Sequence, residues 1–110
     1  MAKYAVFFSY TPEAWSKMIS NPGDRAAAVR SVLESLGGRL ETMYFMFGER
    51  DGFVIADLPD AESAAAVSIT VASSGAFRNV QTHQLIAPED LPGVLEKAGS
   101  ALGSYRPPGS

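Results

Sequence analysis

Hydrophobic periodicity along this chain alternates between two residues and about 3.6, in an order that leaves few folds open. Residues Lys3 to Ser9 are aromatic and β-branched enough for a strand, bounded by Tyr10-Thr11-Pro12. Thr11 as N-cap, Pro12 at the first helical position and Glu13 in the first turn predict a short helix, Pro12 to Ser20, that Asn21-Pro22-Gly23 stops. Asp24 caps a longer helix whose Val29, Val32, Leu33 and Leu36 fall at i, i+3, i+4 and i+7, and Gly37-Gly38 closes it. Arg39 to Phe47 reads as a second strand with Leu40, Thr42, Tyr44 and Met46 on one side and Glu41, Met43, Phe45 and Phe47 on the other. Gly48 to Gly52 suits a hairpin, and Phe53 to Leu58 is the third strand, ended by Pro59. Asp60 caps a helix through Ser74 with Ala64, Val67 and Val71 in one stripe, stopped by Gly75. Phe77 to Ile86 is the fourth strand, and a last helix after Ala87 carries the stripe Leu91, Val94, Leu95, Ala98.

The order strand, helix, strand, strand, helix, strand is that of an α+β, ferredoxin-like split βαβ domain: a four-stranded antiparallel sheet with helices on one face, plus an extra short helix after strand one and a C-terminal helix. Right-handed crossovers place both main helices on the same side, so the other face of the sheet is bare. Strand parity assigns to that open face Ala5, Phe7, Glu41, Met43, Phe45, Phe53, Ile55, Asp57, Gln81 and His83. Such a face, roughly 400 Å² and mostly apolar, calls for a cover. A second copy of the chain is the economical one, so a homodimer or higher homo-oligomer through this face is expected. The domain should run from residue 3 to 103, with 104–110, Ser104-Tyr105-Arg106-Pro107-Pro108-Gly109-Ser110, a flexible tail.

Composition narrows function mainly by exclusion. With no Cys there is no disulfide framework, no thiolate nucleophile and no Cys-based metal site. Nine Lys plus Arg against twelve Asp plus Glu give a net charge of -3, which provides no electrostatic reason to expect nucleic acid or an anionic membrane as partner. No run approaches the length of a membrane span, and the N-terminal apolar run from Tyr4 to Phe8 is too short for a signal peptide, so a cytoplasmic protein is the default expectation.

The stretch from Lys3 to Trp15 (KYAVFFSYTPEAW), the helix end Leu36-Gly37-Gly38, and Phe47-Gly48-Glu49-Arg50-Asp51-Gly52-Phe53-Val54 followed by Leu58-Pro59-Asp60 resemble the GYD domain family of small bacterial proteins, over about residues 3 to 96. The family takes its name from a Gly-Tyr-Asp signature in the hairpin between strands two and three. Here Arg50 stands before Asp51 where the aromatic is expected, while Gly48, Asp51 and Gly52 keep the frame. The resemblance implies a ferredoxin-like fold related to dimeric α+β barrels, and it implies no particular activity.

Candidate chemistry is sparse. His83 is the only His, so no His-His metal site forms within one protomer; as a single ligand for haem iron or a metal it is a weak candidate, and a strand His hydrogen-bonding at an interface accounts for it more simply. On parity it should not share a pocket with Tyr44. No cofactor is expected. Asp51, in its turn, should accept local backbone N–H groups, and Gly48 and Gly52 lack the following Lys of a phosphate loop. Tyr10, Trp15 and Tyr44 are the candidate ligand-binding group: Tyr10 ends strand one, Trp15 lies a turn into the next helix, and parity puts Tyr44 on the helix side of strand two, so the three could border a cleft for a small planar or apolar molecule, though core packing explains them equally well. No Ser stands in a nucleophile elbow. The functional expectation is a small-molecule-binding or structural module; the alternative is a cofactor-independent enzyme of oxygenase or isomerase class acting on a small apolar or aromatic substrate, an analogy at the level of fold.

Overall fold

The computed structural model describes residues 1–110. Strands β1 (Ala2–Tyr10), β2 (Arg39–Phe45), β3 (Gly52–Leu58) and β4 (Phe77–Gln84) form one antiparallel sheet in the order β2-β3-β1-β4. Helices α1 (Pro12–Ser20), α2 (Arg25–Ser35), α3 (Ala61–Ala72) and α4 (Leu91–Ala101) complete the chain, with short 3₁₀ turns at Pro88–Asp90 and Leu102–Ser104 on either side of α4. This is the ferredoxin-like plan that the hydrophobic periods specify.

The helix boundaries follow local chemistry. Thr11 Oγ1 accepts from the Ala14 amide at 3.1 Å, Asp24 Oδ1 from Ala27 at 3.0 Å and Asp60 Oδ1 from Ser63 at 2.8 Å, each satisfying an amide that lacks an intrahelical partner. Gly37 (φ 78°) and Gly75 (φ 79°) end α2 and α3 in the left-handed conformation that costs glycine least. α2 lies mainly over β2 and α3 over β4, both on one face. Beneath them the even-numbered residues of β1 build two adjoining cores: Tyr4 with Leu33, Ala56, Leu58, Ala64 and Val67, and Val6, Phe8 and Tyr10 with Ala14 and Val54.

β2 departs from simple alternation. Leu40 pairs with Ala56 and Thr42 with Ile55, so two steps along β2 match one along β3 and Glu41 is an extra, bulged residue. Every side chain beyond it changes face relative to the alternation read from Arg39. Met43 and Phe45, expected on the open face, turn to the helix side: Met43 packs against the core around Val54, and Phe45 meets Phe8 edge-on at 6.1 Å. Tyr44, expected under the helices, turns to the open face and stacks on Phe53 at 5.9 Å. A bulge reverses parity without changing composition, which is why alternation alone misplaced these three. The open face therefore carries Ala5, Phe7, Phe53, Ile55 and Tyr44 at its centre, with Glu41 and Asp57 at one end and Gln81 and His83 on β4. The second strand also ends at Phe45 and the fourth at Gln84, slightly short of Phe47 and Ile86.

Gly52, at the start of β3, shows how tightly the hairpin is seated. A Cβ there would lie 2.4 Å from Phe8 Cζ and 2.8 Å from the Tyr44 carbonyl oxygen. Gly52→Ala should destabilise the domain by about 1–3 kcal/mol through overpacking, read as a lower urea midpoint with an unchanged m-value; Gly23→Ala, where nothing lies within 4 Å, should leave the midpoint in place.

Candidate functional site

Because α2 and α3 sit over opposite edges of the sheet, a cleft of about 230 Å³ opens between them. Phe8 and Tyr10 from β1, Met43 from β2 and Phe77 from β4 form its floor; Ala28, Val29 and Val32 on α2, Thr70 and Val71 on α3, and Ser74 just past the end of α3 form its walls. The bulge at Glu41 supplies one floor residue, since it is what turns Met43 inward. Arg25, the first residue of α2, is the one charged residue in the lining; it is half-buried and pairs with no carboxylate. The chemistry of the cleft is thus an apolar chamber with one guanidinium and three hydroxyl-bearing residues, Tyr10, Thr70 and Ser74. Sequence patterning missed Arg25, Val71 and Phe77 because their convergence depends on the spacing between two helices; the Arg after a capping Asp was the only local signal.

The three expected ligand residues separate. Tyr10 is buried in the cleft floor, and Trp15 packs edge-on against it at 5.1 Å on the outer side, 39% exposed. Tyr44 lies on the opposite face of the sheet, 62% exposed. Tyr44 and His83 consequently share a face, contrary to the parity expectation; His83 meets Phe7 edge-on at 6.0 Å, and Phe7 and Tyr44 both pack against Phe53. His83 is exposed, and no group of three or more His, Asp or Glu converges anywhere in the chain.

Asp51 reaches further than its own turn. Its Oδ2 accepts from the Tyr10 backbone N–H at 2.8 Å and from Trp15 Nε1 at 3.3 Å, both far away in sequence, and its own amide donates to the Phe8 carbonyl at 2.9 Å. The expectation of purely local acceptance is corrected by the seating of the hairpin tip against the end of β1. One carboxylate thereby fixes the hairpin, the last residue of β1 and the start of α1. The neighbouring Arg50 crosses the open face to the Gln81 side-chain oxygen on β4, and Ser9 Oγ, also on that face, donates to the Glu49 carbonyl at 3.1 Å.

At the other end of the open face Lys3 Nζ lies 2.7 Å from Glu41 and 3.0 Å from Asp57, and Arg39 lies 3.0 Å from Asp57. The bulge carries Glu41 into this cluster. Hydrogen bonds from Lys3 and Arg39 hold the nearly buried Asp57 carboxyl below its usual range, and the two carboxylates hold the Lys3 ammonium above its own.

The GYD domain family model matches residues 4–95. The chain belongs to the GYD domain family. In this GYD member Asp51 is the pin described above, and the neighbouring Arg50 spans part of the open face to Gln81. No curated protein matches the chain. Among solved structures, 30S ribosomal protein S6 from Thermotoga maritima superposes with a TM-score of 0.57 at 18% identity, covering 89% of this chain and 97% of that one. FFRP-DM1 gives a TM-score of 0.49 at 12% identity, over 78% of this chain and all of its own. The S6 likeness establishes the ferredoxin-like fold and nothing of activity. No helix of this GYD protein is long and apolar enough to cross a membrane.

Two outcomes follow for the pin and the ion cluster. Asp51→Ala should cost about 1–3 kcal/mol by leaving the buried Tyr10 amide without an acceptor, and because Trp15 is the only Trp, its emission should shift with the loss; an unchanged spectrum and midpoint would refute the pin. Since the folded Asp57 is held below its unfolded value, its stabilisation is present above that unfolded value, about 3.9, and is lost as pH falls through the depressed folded one. Asp57→Asn should therefore lower stability at neutral pH and flatten the acid limb of a plot of unfolding free energy against pH.

Proposed function

We propose that this GYD protein is a cytosolic, self-associating module that binds a small apolar molecule carrying an anionic group in the cleft between α2 and α3. The observation that carries the reading is the pairing of an apolar chamber with a single unpaired guanidinium, Arg25. Apolar walls provide affinity without orientation, and a guanidinium supplies orientation by bidentate contact with a carboxylate. A chamber of about 230 Å³ is smaller than the ~300 Å³ at which sites for drug-sized ligands begin, so the fitting class is that of an aromatic or short aliphatic acid. Tyr10 enters as part of the floor and Trp15 as the group packed behind it. Tyr44 belongs instead to the open face, where with Phe7, Phe53 and Ile55 it favours sheet-to-sheet association of two copies.

Binding is favoured over turnover by what lines the chamber. It holds no carboxylate and no imidazole, so proton transfer by the protein would fall to the Tyr10 phenol or the hydroxyls of Thr70 and Ser74. The competing reading, a cofactor-independent oxygenase or isomerase, requires one of those groups or the substrate's own reactivity to perform the chemistry.

A thermal-shift series with benzoate, 1-naphthoate and hexanoate, each beside its neutral amide, tests the assignment. At a hundredfold excess over Kd an acid should stabilise the fold by about 2.7 kcal/mol, a rise of several degrees in Tm, and its amide much less. Arg25→Ala should abolish the acid-over-amide difference, and Val71→Trp should abolish both by filling the chamber. Equal shifts with acid and amide would remove Arg25 from the site; recovery of altered compound after incubation would move the assignment to the enzyme.

A further inference from the structure

α4 touches its own chain mainly through the two turns that flank it. None of its residues is buried, yet Leu91, Val94, Leu95 and Ala98 form one stripe that continues through Leu102 to Tyr105, with Leu95 58% and Leu102 76% exposed. The radius of gyration, 17.5 Å, exceeds the ~13 Å of a compact domain of this length, and the long dimension is 58 Å, as befits a body with a projecting arm. An eleven-residue helix with Gly93 and Gly99 inside it is too short to hold itself in water, so its conformation needs a surface against the stripe.

We infer that this surface is a second copy of the chain, and that α4 is an exchanged arm: each copy lays its Leu91, Leu95 and Leu102 stripe on the body of the other. The inference rests on the self-association proposed above and adds to it the element that completes the interface. Area decides the point. The open sheet face alone offers roughly 400 Å², about half of the ~800 Å² per partner that a stable interface buries. From Leu91 to Leu102 the arm is about 18 Å long and, at helix width, presents about 180 Å². In a two-fold pair every copy contributes both its own arm and the strip on which its partner's arm lands, which brings the buried total close to the stable class. Only 15 of the 110 residues are buried in the single chain, so apolar surface remains for both contacts.

Sedimentation velocity and light scattering of the full chain at micromolar concentration test this, with four variants. The unmodified protein should be a dimer or larger. Leu95→Glu and Leu102→Glu should each weaken association by about a hundredfold, tenfold for each of the two exchanged arms, while circular dichroism still reports a folded sheet. Ser100→Glu, opposite the stripe, should associate as the unmodified protein does. Phe53→Glu reports on the sheet face separately: dissociation by Phe53→Glu with full association of both Leu variants would retain the sheet-face pairing and overturn the exchanged arm. An unmodified protein that sediments as a monomer would overturn both. None of these outcomes depends on the cleft, whose ligand series reads out independently.

Discussion

One extra residue in β2 determines what each face of the sheet can do. Glu41 bulges between Leu40 and Thr42, and the reversal it imposes sends Met43 and Phe45 under the helices and Tyr44 to the other side. The cleft floor needs Met43, and the aromatic surface of the open face needs Tyr44 stacked on Phe53. The same bulge sets Glu41 itself beside Lys3, extending the ionic cluster around Asp57. Had these same residues paired without a bulge, Glu41 would stand opposite Ile55, Met43 opposite Phe53 on the open face, and Tyr44 opposite Gly52 under the helices.

The hairpin between β2 and β3 acts on both faces of the sheet. Asp51 joins three segments that are distant in sequence by accepting from the Tyr10 amide and the Trp15 indole, so it holds the floor residue Tyr10 and the start of α1 in one place. The residue before it faces a different task. Arg50 extends over the open face to Gln81, a long polar arm over one end of an apolar surface. The pin and the cover act on opposite sides of the sheet, the cleft on one side and the proposed association surface on the other.

Much of the architecture was legible in the residues, and the reasons are local. Thr11, Asp24 and Asp60 each cap the helix they precede, and Gly37 and Gly75 take the positive φ that closes α2 and α3. Each of these depends on groups within a few positions or on a conformation special to one residue type. The candidate site was legible only in part. Tyr10 and Trp15 could be placed together because one turn of helix separates them, whereas Arg25 and Phe77 join Tyr10 in the cleft only through packing.

The sequence by itself determined the order of elements, their caps and stops, and the existence of a bare apolar sheet face, because hydrophobic period and capping chemistry are written in neighbouring residues. Tertiary structure decided which face Tyr44, Met43 and Phe45 occupy, what Asp51 holds, and that α4 stands clear of the body. The reason is that a bulge, a long-range hydrogen bond and the gap between two helices are relations between segments, and alternation along a single strand carries no record of them.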